Sequence, residues 1–213
     1  IIFPLTGAFF LFFSLPIFFV LKDKHFLKKS ATRMAAASLY NTLTHVSSFK
    51  QMGLLMLSSF LFTNGINTAI IFLYLYGKEA INLEIKMFIA IYAVFSISAA
   101  IASPIFGRFS DKFSPKLGLM AALLLWVVAL FILFVKDLTA FTTAGIIGGF
   151  ALGGVWTTLR PLLLQIAPPN KTGEYFGFLE LTSKFSGTIG PVLFGYLVSR
   201  FSYNYGLVTL LCF

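Results

Sequence analysis

The chain has 213 residues, of which 58% are hydrophobic and only 11% are charged, and its mean hydropathy is +0.92. Soluble domains usually carry about a quarter charged residues, so this composition excludes an ordinary soluble protein and indicates that lipid surrounds most of the chain. The net charge is +9, and most of the charged residues lie between apolar runs rather than on one face. This pattern is typical of loops anchored at a membrane and argues against nucleic-acid binding.

The apolar runs predict an all-α, polytopic transmembrane helix bundle. A helix that spans a bilayer needs about 20 mostly apolar residues. Six runs meet this requirement, and a seventh begins a span but is too short to complete it. They cover residues 1–21, 51–76, 85–106, 117–135, 138–167 and 175–199, followed by 205–213. Both ends fall within apolar sequence, so we expect a fragment of a longer protein.

Lysine and arginine residues predict how these spans are oriented. Ten basic residues follow the first, third and fifth spans, and four lie on the opposite side, so the richer side is predicted to be cytoplasmic. The ten are Lys22, Lys24, Lys28, Lys29, Arg33, Lys50, Arg108, Lys112, Lys116 and Lys171, and the four are Lys78, Lys86, Lys136 and Arg200. The alternation of rich and poor connections independently supports six spans.

Residues 22–50 form the one long polar stretch of the sequence. Ala35, Leu39, Leu43 and Val46 recur at three- and four-residue steps, which predicts a short helix lying on the cytoplasmic surface and held to anionic lipid by the lysines. The only two histidines of the chain lie here. With the single cysteine Cys212 and no His/Cys cluster, the sequence supports neither a metal site nor a cofactor.

Three charged residues lie within the last two complete spans. Arg160 lies about seven residues before the turn that joins these spans, and Glu180 and Lys184 lie about six and ten residues after it. At a rise of about 1.5 Å per residue, Arg160 and Glu180 are each about 10 Å from the turn and can face each other. Ionisable groups at membrane depth normally face a partner or a watery cavity. Either a buried structural triad or a substrate- or proton-linked site is consistent with this pattern.

Two further patterns concern helix contacts. Asn64 and Asn67, three residues apart in the second span, predict either a cavity lining or an interhelical hydrogen bond. Gly145, Gly149 and Gly153 recur every four residues, which favours close helix packing. Pro161, directly after Arg160, predicts that its helix bends or opens there.

The turn 107–116, GRFSDKFSPK, contains Gly107, Asp111, Lys112 and Lys116. This pattern resembles the loop signature of the major facilitator superfamily, although Ser114 and Pro115 depart from it. An acidic residue at a helix end can engage helix dipoles and basic side chains, so the four residues are interpreted as a conformational latch. The alternative is that a short basic turn merely anchors the topology.

The last two complete spans resemble one branch of that superfamily. The run from Gly153 to Leu163, then Pro168, Glu174 to Gly177, Lys184 and Gly190-Pro191 are similar to the vacuole-effluxer-like proteins, whose autophagy-related members export amino acids. This resemblance implies that 1–21 is the sixth helix of a twelve-helix transporter, that 22–50 is the inter-domain linker, and that 51–213 is most of the second bundle, truncated in its last helix. Asn64 stands where this branch tends to carry Asp, so a proton-coupling role at that position is in doubt.

These observations predict a secondary transporter that moves a small polar solute, such as an amino acid, by alternating access, with or without a coupling proton or ion. Asn64, Asn67, Arg160, Glu180 and Lys184 are its candidate substrate-binding or gating residues. Its expected partners are membrane lipids and the N-terminal half of the same transporter, in a bacterial cytoplasmic membrane or, alternatively, a vacuolar-type membrane. The alternatives are a lipid-modifying membrane enzyme and a non-transporting scaffold; the sequence offers no catalytic set for the enzyme.

Overall fold

The computed structural model describes residues 2–20, 50–169, 171–201 and 203–212. Across these ranges the regular structure is entirely helical, which confirms the predicted all-α fold. The helices are α1 (Ile2–Val20), α2 (Lys50–Ile81), α3 (Ile85–Lys112), α4 (Pro115–Leu133), α5 (Leu138–Ile166), α6 (Thr172–Arg200) and α7 (Tyr203–Cys212). The predicted linker and its surface helix lie outside the described residues, except for Lys50.

Four of these helices, α2 to α5, are long and apolar enough to cross a membrane. The apolar stretch found in α1, Phe3–Pro16, is shorter. Helix α6 has 29 residues, but Glu174, Glu180 and Lys184 lower its apolar character. The spans predicted at α1 and α6 therefore remain predictions.

The chain divides into two compact units, Ile1–Thr44 and His45–Phe213. The first unit contains α1. In the second unit, α5 packs along its length against α3 and α4, whereas α2 packs mainly against α6, and α7 lies against α6 and α2. Two apolar clusters form the core of this unit, one around Leu159, Leu163 and Tyr175, and the other around Phe141 and Phe194.

Local sequence explains where the helices begin and end. Ser114 caps α4, because its hydroxyl accepts a hydrogen bond from the Leu117 amide at 3.2 Å, and Pro115 occupies the first helical position. Asp137 caps α5 in the same way, accepting from the Thr139 amide at 2.9 Å. Asn82, which follows α2, adopts a left-handed conformation with φ of 56°, a backbone region that asparagine tolerates.

The predicted turn 107–116 is largely helical, which corrects its assignment as a loop. Helix α3 continues through Lys112, so Gly107, Asp111 and Lys112 lie on its last turns, and Lys116 lies in the first turn of α4. The physical reason is that the buried face of α3 continues through Phe106 to Ser110, which keeps these turns packed on the bundle.

The glycine stripe of α5 packs against α3, as the four-residue spacing predicted. A β-carbon at Gly149 would lie 2.3 Å from the backbone oxygen of Phe95, and one at Gly153 would lie 2.2 Å from that of Ala99. Only glycine permits this approach of two helix backbones.

Helix α5 runs unbroken to Ile166, so of the two predicted outcomes at Pro161 the helix does not open, and the bend stays a prediction. Pro161 removes one backbone hydrogen bond, and the neighbouring buried side chains, Leu159, Leu162 and Leu163, hold the segment against the core. Helix α6 likewise runs unbroken through Pro191.

Candidate functional site

Arg160 and Glu180 lie opposite each other on α5 and α6. The distance from Arg160 Nη2 to Glu180 Oε1 is 3.7 Å, as expected from their equal spacing about the turn. The two side chains are 63% and 59% exposed in this bundle. The bundle described here therefore does not bury the pair, and the choice between a structural and a substrate- or proton-linked role stays a prediction.

Lys184 lies one helical turn beyond Glu180 on α6 and is also exposed. Within the described part of the chain it forms no ion pair, so the pair of Arg160 and Glu180 does not extend to a triad. Its ammonium group is therefore available to an anionic group that approaches this part of α6.

The charged residues belong to one surface, which we call the Arg160 face. It comprises Trp156, Arg160 and Leu164, spaced four residues apart on α5, together with Glu180 and Lys184 on α6, and all five are exposed. The opposite side of α5 is buried in the core. The bundle thus presents a guanidinium, a carboxylate and an ammonium group on a surface that it does not itself cover.

Asn64 and Asn67 lie elsewhere, at the contact between α2 and α6. Asn64 is completely buried; its amide nitrogen donates to the Phe60 carbonyl at 2.9 Å, and its amide oxygen has no partner. The amide nitrogen of Asn67, which is half-buried, donates to Ser186 Oγ at 3.3 Å. A β-carbon at Gly190 would lie 2.9 Å from the Asn64 amide oxygen. Asn67 thus makes the interhelical hydrogen bond of the second alternative, whereas Asn64 packs against α6 and is hydrogen-bonded within its own helix.

The latch residues lie where α3 meets α4 and α5. Gly107 faces Thr157 of α5, whose methyl carbon would be 3.8 Å from a β-carbon at residue 107. Asp111, Lys112 and Lys116 are exposed. The ammonium group of Lys112 lies 5.5 Å from the ring centre of Phe113. Among the described residues, Asp111 makes no ion pair.

Sequence reasoning missed Ser110, which is buried at the centre of the latch segment. It ends the buried stripe of α3 that runs through Ser98, Ala102 and Phe106. That four-residue spacing was the available signal. Its hydroxyl has no hydrogen-bond partner.

Sequence reasoning also missed a cavity of about 100 Å³ in the other half of the bundle. Its wall includes Phe72, Tyr76, Phe95, Trp126 and Phe194. The lining contains no charged side chain, so the cavity suits an apolar group. No sequence pattern could identify it, because five or more helices must assemble before it exists.

Comparisons with known proteins agree with this architecture. Residues 54–213 match the family model described as Major Facilitator Superfamily. The chain is 22% identical over 199 residues to the uncharacterized MFS-type transporter YxiO of Bacillus subtilis. This alignment covers 90% of the present chain and 45% of YxiO. The chain is 28% identical over 149 residues to the quinolone resistance protein NorA of Staphylococcus aureus, covering 70% and 38% respectively. The chain therefore spans less than half the length of these relatives.

Proposed function

The chain belongs to the major facilitator superfamily, and from that premise we propose that it supplies the C-terminal half of a secondary transporter. The family match starts at residue 54, close to the predicted boundary between linker and second bundle. The predicted N-terminal half of the same transporter would then complete the solute pathway. The helices make the chain an integral membrane protein, and its bacterial relatives support a bacterial cytoplasmic membrane.

The observation that carries the proposal is the exposed pair of Arg160 and Glu180. Charged groups at membrane depth are costly unless they face water or a partner. Because both side chains point away from their own bundle, the pathway between the two halves is the surface they would line. An exposed ion pair contributes about 1 kcal/mol or less, so the solute cycle can break and remake it. We therefore assign Arg160 and Glu180 to the cytoplasmic gate.

Lys184 is the better candidate for direct solute contact. It lies one turn deeper than the gate, and no carboxylate within the described residues neutralises it. An ammonium group in a site of reduced water content favours an anionic partner such as a carboxylate. A small polar solute with a carboxylate, such as an amino acid, fits this chemistry. Asn67 would support the pathway by its hydrogen bond from α2 to Ser186 of α6, and Asn64, which cannot titrate, is buried at the same contact.

The test is transport by the full-length protein reconstituted in liposomes, with radiolabelled amino acids as solutes. A quinolone is tested in parallel because one of the relatives is a quinolone resistance protein. Arg160→Ala is expected to abolish transport, and Lys184→Ala to raise the solute concentration for half-maximal rate. Lys86→Ala, which removes an exposed positive charge from the predicted opposite side, is the matched control and is expected to transport normally.

The charge-swapped variant carrying Arg160→Glu and Glu180→Arg separates a gate from a packing role. Partial recovery of transport relative to Arg160→Ala would support a pair that opens and closes. Normal transport by Arg160→Ala, in protein that is expressed and folded, would refute the assignment. A scaffold would tolerate loss of all three charges.

A further inference from the structure

Ser110 has a buried hydroxyl group that forms no hydrogen bond with any of the described residues. The residue is 7% exposed and lies on the last turns of α3, next to Asp111 of the latch motif. Buried hydroxyl groups nearly always have a hydrogen-bond partner, because leaving one unpaired costs free energy. If the latch motif changes its contacts during transport, as its predicted role requires, the partner of this hydroxyl is reached in another conformation.

The immediate neighbours of Ser110 do not supply this partner. A β-carbon on Gly118 of α4 would lie 2.8 Å from Ser110 Oγ and 2.8 Å from the Thr158 methyl carbon of α5, so three helices meet at this point. Thr158 presents its methyl carbon to this point, while its hydroxyl donates to the Gly154 carbonyl of its own helix at 2.8 Å. Ser110 is thus enclosed by groups with which it forms no hydrogen bond.

The backbone carbonyl of Thr157, the residue before Thr158 on α5, is an acceptor that lacks its ordinary donor. In an α-helix the carbonyl of Thr157 accepts from the backbone N–H four residues later, and that residue is Pro161, which has none. The side chain of Thr157 already faces α3 at Gly107, one turn before Ser110. A donor without an acceptor and an acceptor without its usual donor therefore occupy neighbouring turns of two packed helices.

The other half of the same interface shows what a completed contact looks like. Ser98 of α3 donates its hydroxyl hydrogen to the Ile146 carbonyl of α5 at 2.8 Å. The α3–α5 contact therefore contains a serine hydrogen bond in the half away from the latch motif, whereas the serine beside the latch motif, Ser110, is unpaired.

We infer that Ser110 is a positioning residue of the transport cycle, and that in the alternate conformation its hydroxyl donates to the Thr157 carbonyl. This hydrogen bond would link the latch motif to the turn of α5 that carries Arg160. A shift of the end of α3 along α5 would form the hydrogen bond from Ser110 to Thr157. The hydrogen bond from Ser98 to Ile146 would stabilise the present conformation and break in the alternate one. The inference rests on the proposed function, since it needs a protein with two conformations.

The test compares Ser110→Ala with the matched variant Ser98→Ala in the full-length protein. A cysteine probe is placed by Leu164→Cys on the Arg160 face, in a background in which Cys212 and any other native cysteine are replaced. The rate of its modification by a membrane-impermeant maleimide, with and without solute, reports the population of the two conformations.

Ser98→Ala removes a hydrogen bond of the described conformation, and Ser110→Ala removes one of the alternate conformation. The two variants should therefore change the modification rate in opposite directions, each by about fivefold, the factor for one ordinary net hydrogen bond. A change in the same direction, or an unchanged rate for Ser110→Ala, would overturn the inference. A wild-type rate that does not respond to any transported solute would instead count against the proposed function.

Pro161→Ala provides a second, independent variant. It restores an N–H for the Thr157 carbonyl and so occupies the acceptor that Ser110 needs. The single variant should shift the modification rate in the same direction as Ser110→Ala, and the double variant should show no additional shift. Additive shifts would show that the two residues act separately and would contradict the proposed hydrogen bond.

Discussion

Replacing Gly149 by alanine tests whether the α3–α5 contact depends on the absence of a side chain. The added β-carbon would lie 2.3 Å from the backbone oxygen of Phe95, about 1 Å closer than ordinary van der Waals contact. Because the obstacle is backbone, no side-chain rotation relieves it and the helices must separate. Ser98 and Ile146 flank this point, so the same separation would stretch their 2.8 Å hydrogen bond.

The neighbouring Gly148 gives a matched control for this substitution. A β-carbon there would meet Trp126 at 3.7 Å and Ala129 at 3.8 Å, which are ordinary contacts. Both substitutions gain about 1 kcal/mol of helix propensity. Overpacking at Gly149 costs about 1–3 kcal/mol, so the two variants should differ by that amount, with the Gly149 variant less stable.

The assay is thermal unfolding of the purified full-length protein in detergent micelles. We expect Gly149→Ala to lower the melting temperature, and Gly148→Ala to leave it unchanged or raise it. Equal melting temperatures for the two variants would refute the packing of α5 on α3 described here.

The contact between α2 and α6 gives a parallel pair of variants. Gly190→Ala places a β-carbon 2.2 Å from Thr68 Oγ1 and should lower the melting temperature. Gly187→Ala, whose added β-carbon has its nearest neighbour at 3.8 Å, should not lower it. The reverse order of melting temperatures would contradict the packing of α2 on α6. Hydrogen bonds from the backbone N–H of Thr139 hold the pKa of Asp137 below its usual value. That capping stabilisation is therefore present at neutral pH and is lost as the pH falls through the pKa of the folded protein, so Asp137→Asn should reduce the loss of melting temperature in acid. An unchanged acid dependence would argue against the cap.

The sequence predicted most helix boundaries because local chemistry determines them. The apolar runs place the starts of α4 and α5 within two residues of the observed ones, and the caps Ser114 and Asp137 explain why the helices begin there. The predicted end of α3 lies about six residues before the observed one, because the polar residues there predict a loop. Whether a polar helical turn stays helical depends on what buries its other face, and that is a property of the assembled bundle.

The candidate site was predictable in spacing but not in environment. Equal distances from one turn sufficed to predict that Arg160 and Glu180 face each other. Their exposure could not be predicted, because a hairpin charge can point into its own bundle or away from it with the same spacing. The same limit applies to Ser110, whose periodic position was visible although its unpaired hydroxyl was not.

The exposure of Arg160 and Glu180 limits how much their ion pair can contribute to stability. A salt bridge that is more than half exposed contributes about 1 kcal/mol or less to stability, whereas overpacking at Gly149 or Gly190 costs about 1–3 kcal/mol. We therefore expect stability to depend mainly on the contacts of α3 with α5 and of α2 with α6, and the proposed gate on the Arg160 face to contribute little to it. Variants of the seams should lose melting temperature first, and variants of Arg160 and Glu180 should lose transport while the bundle stays folded.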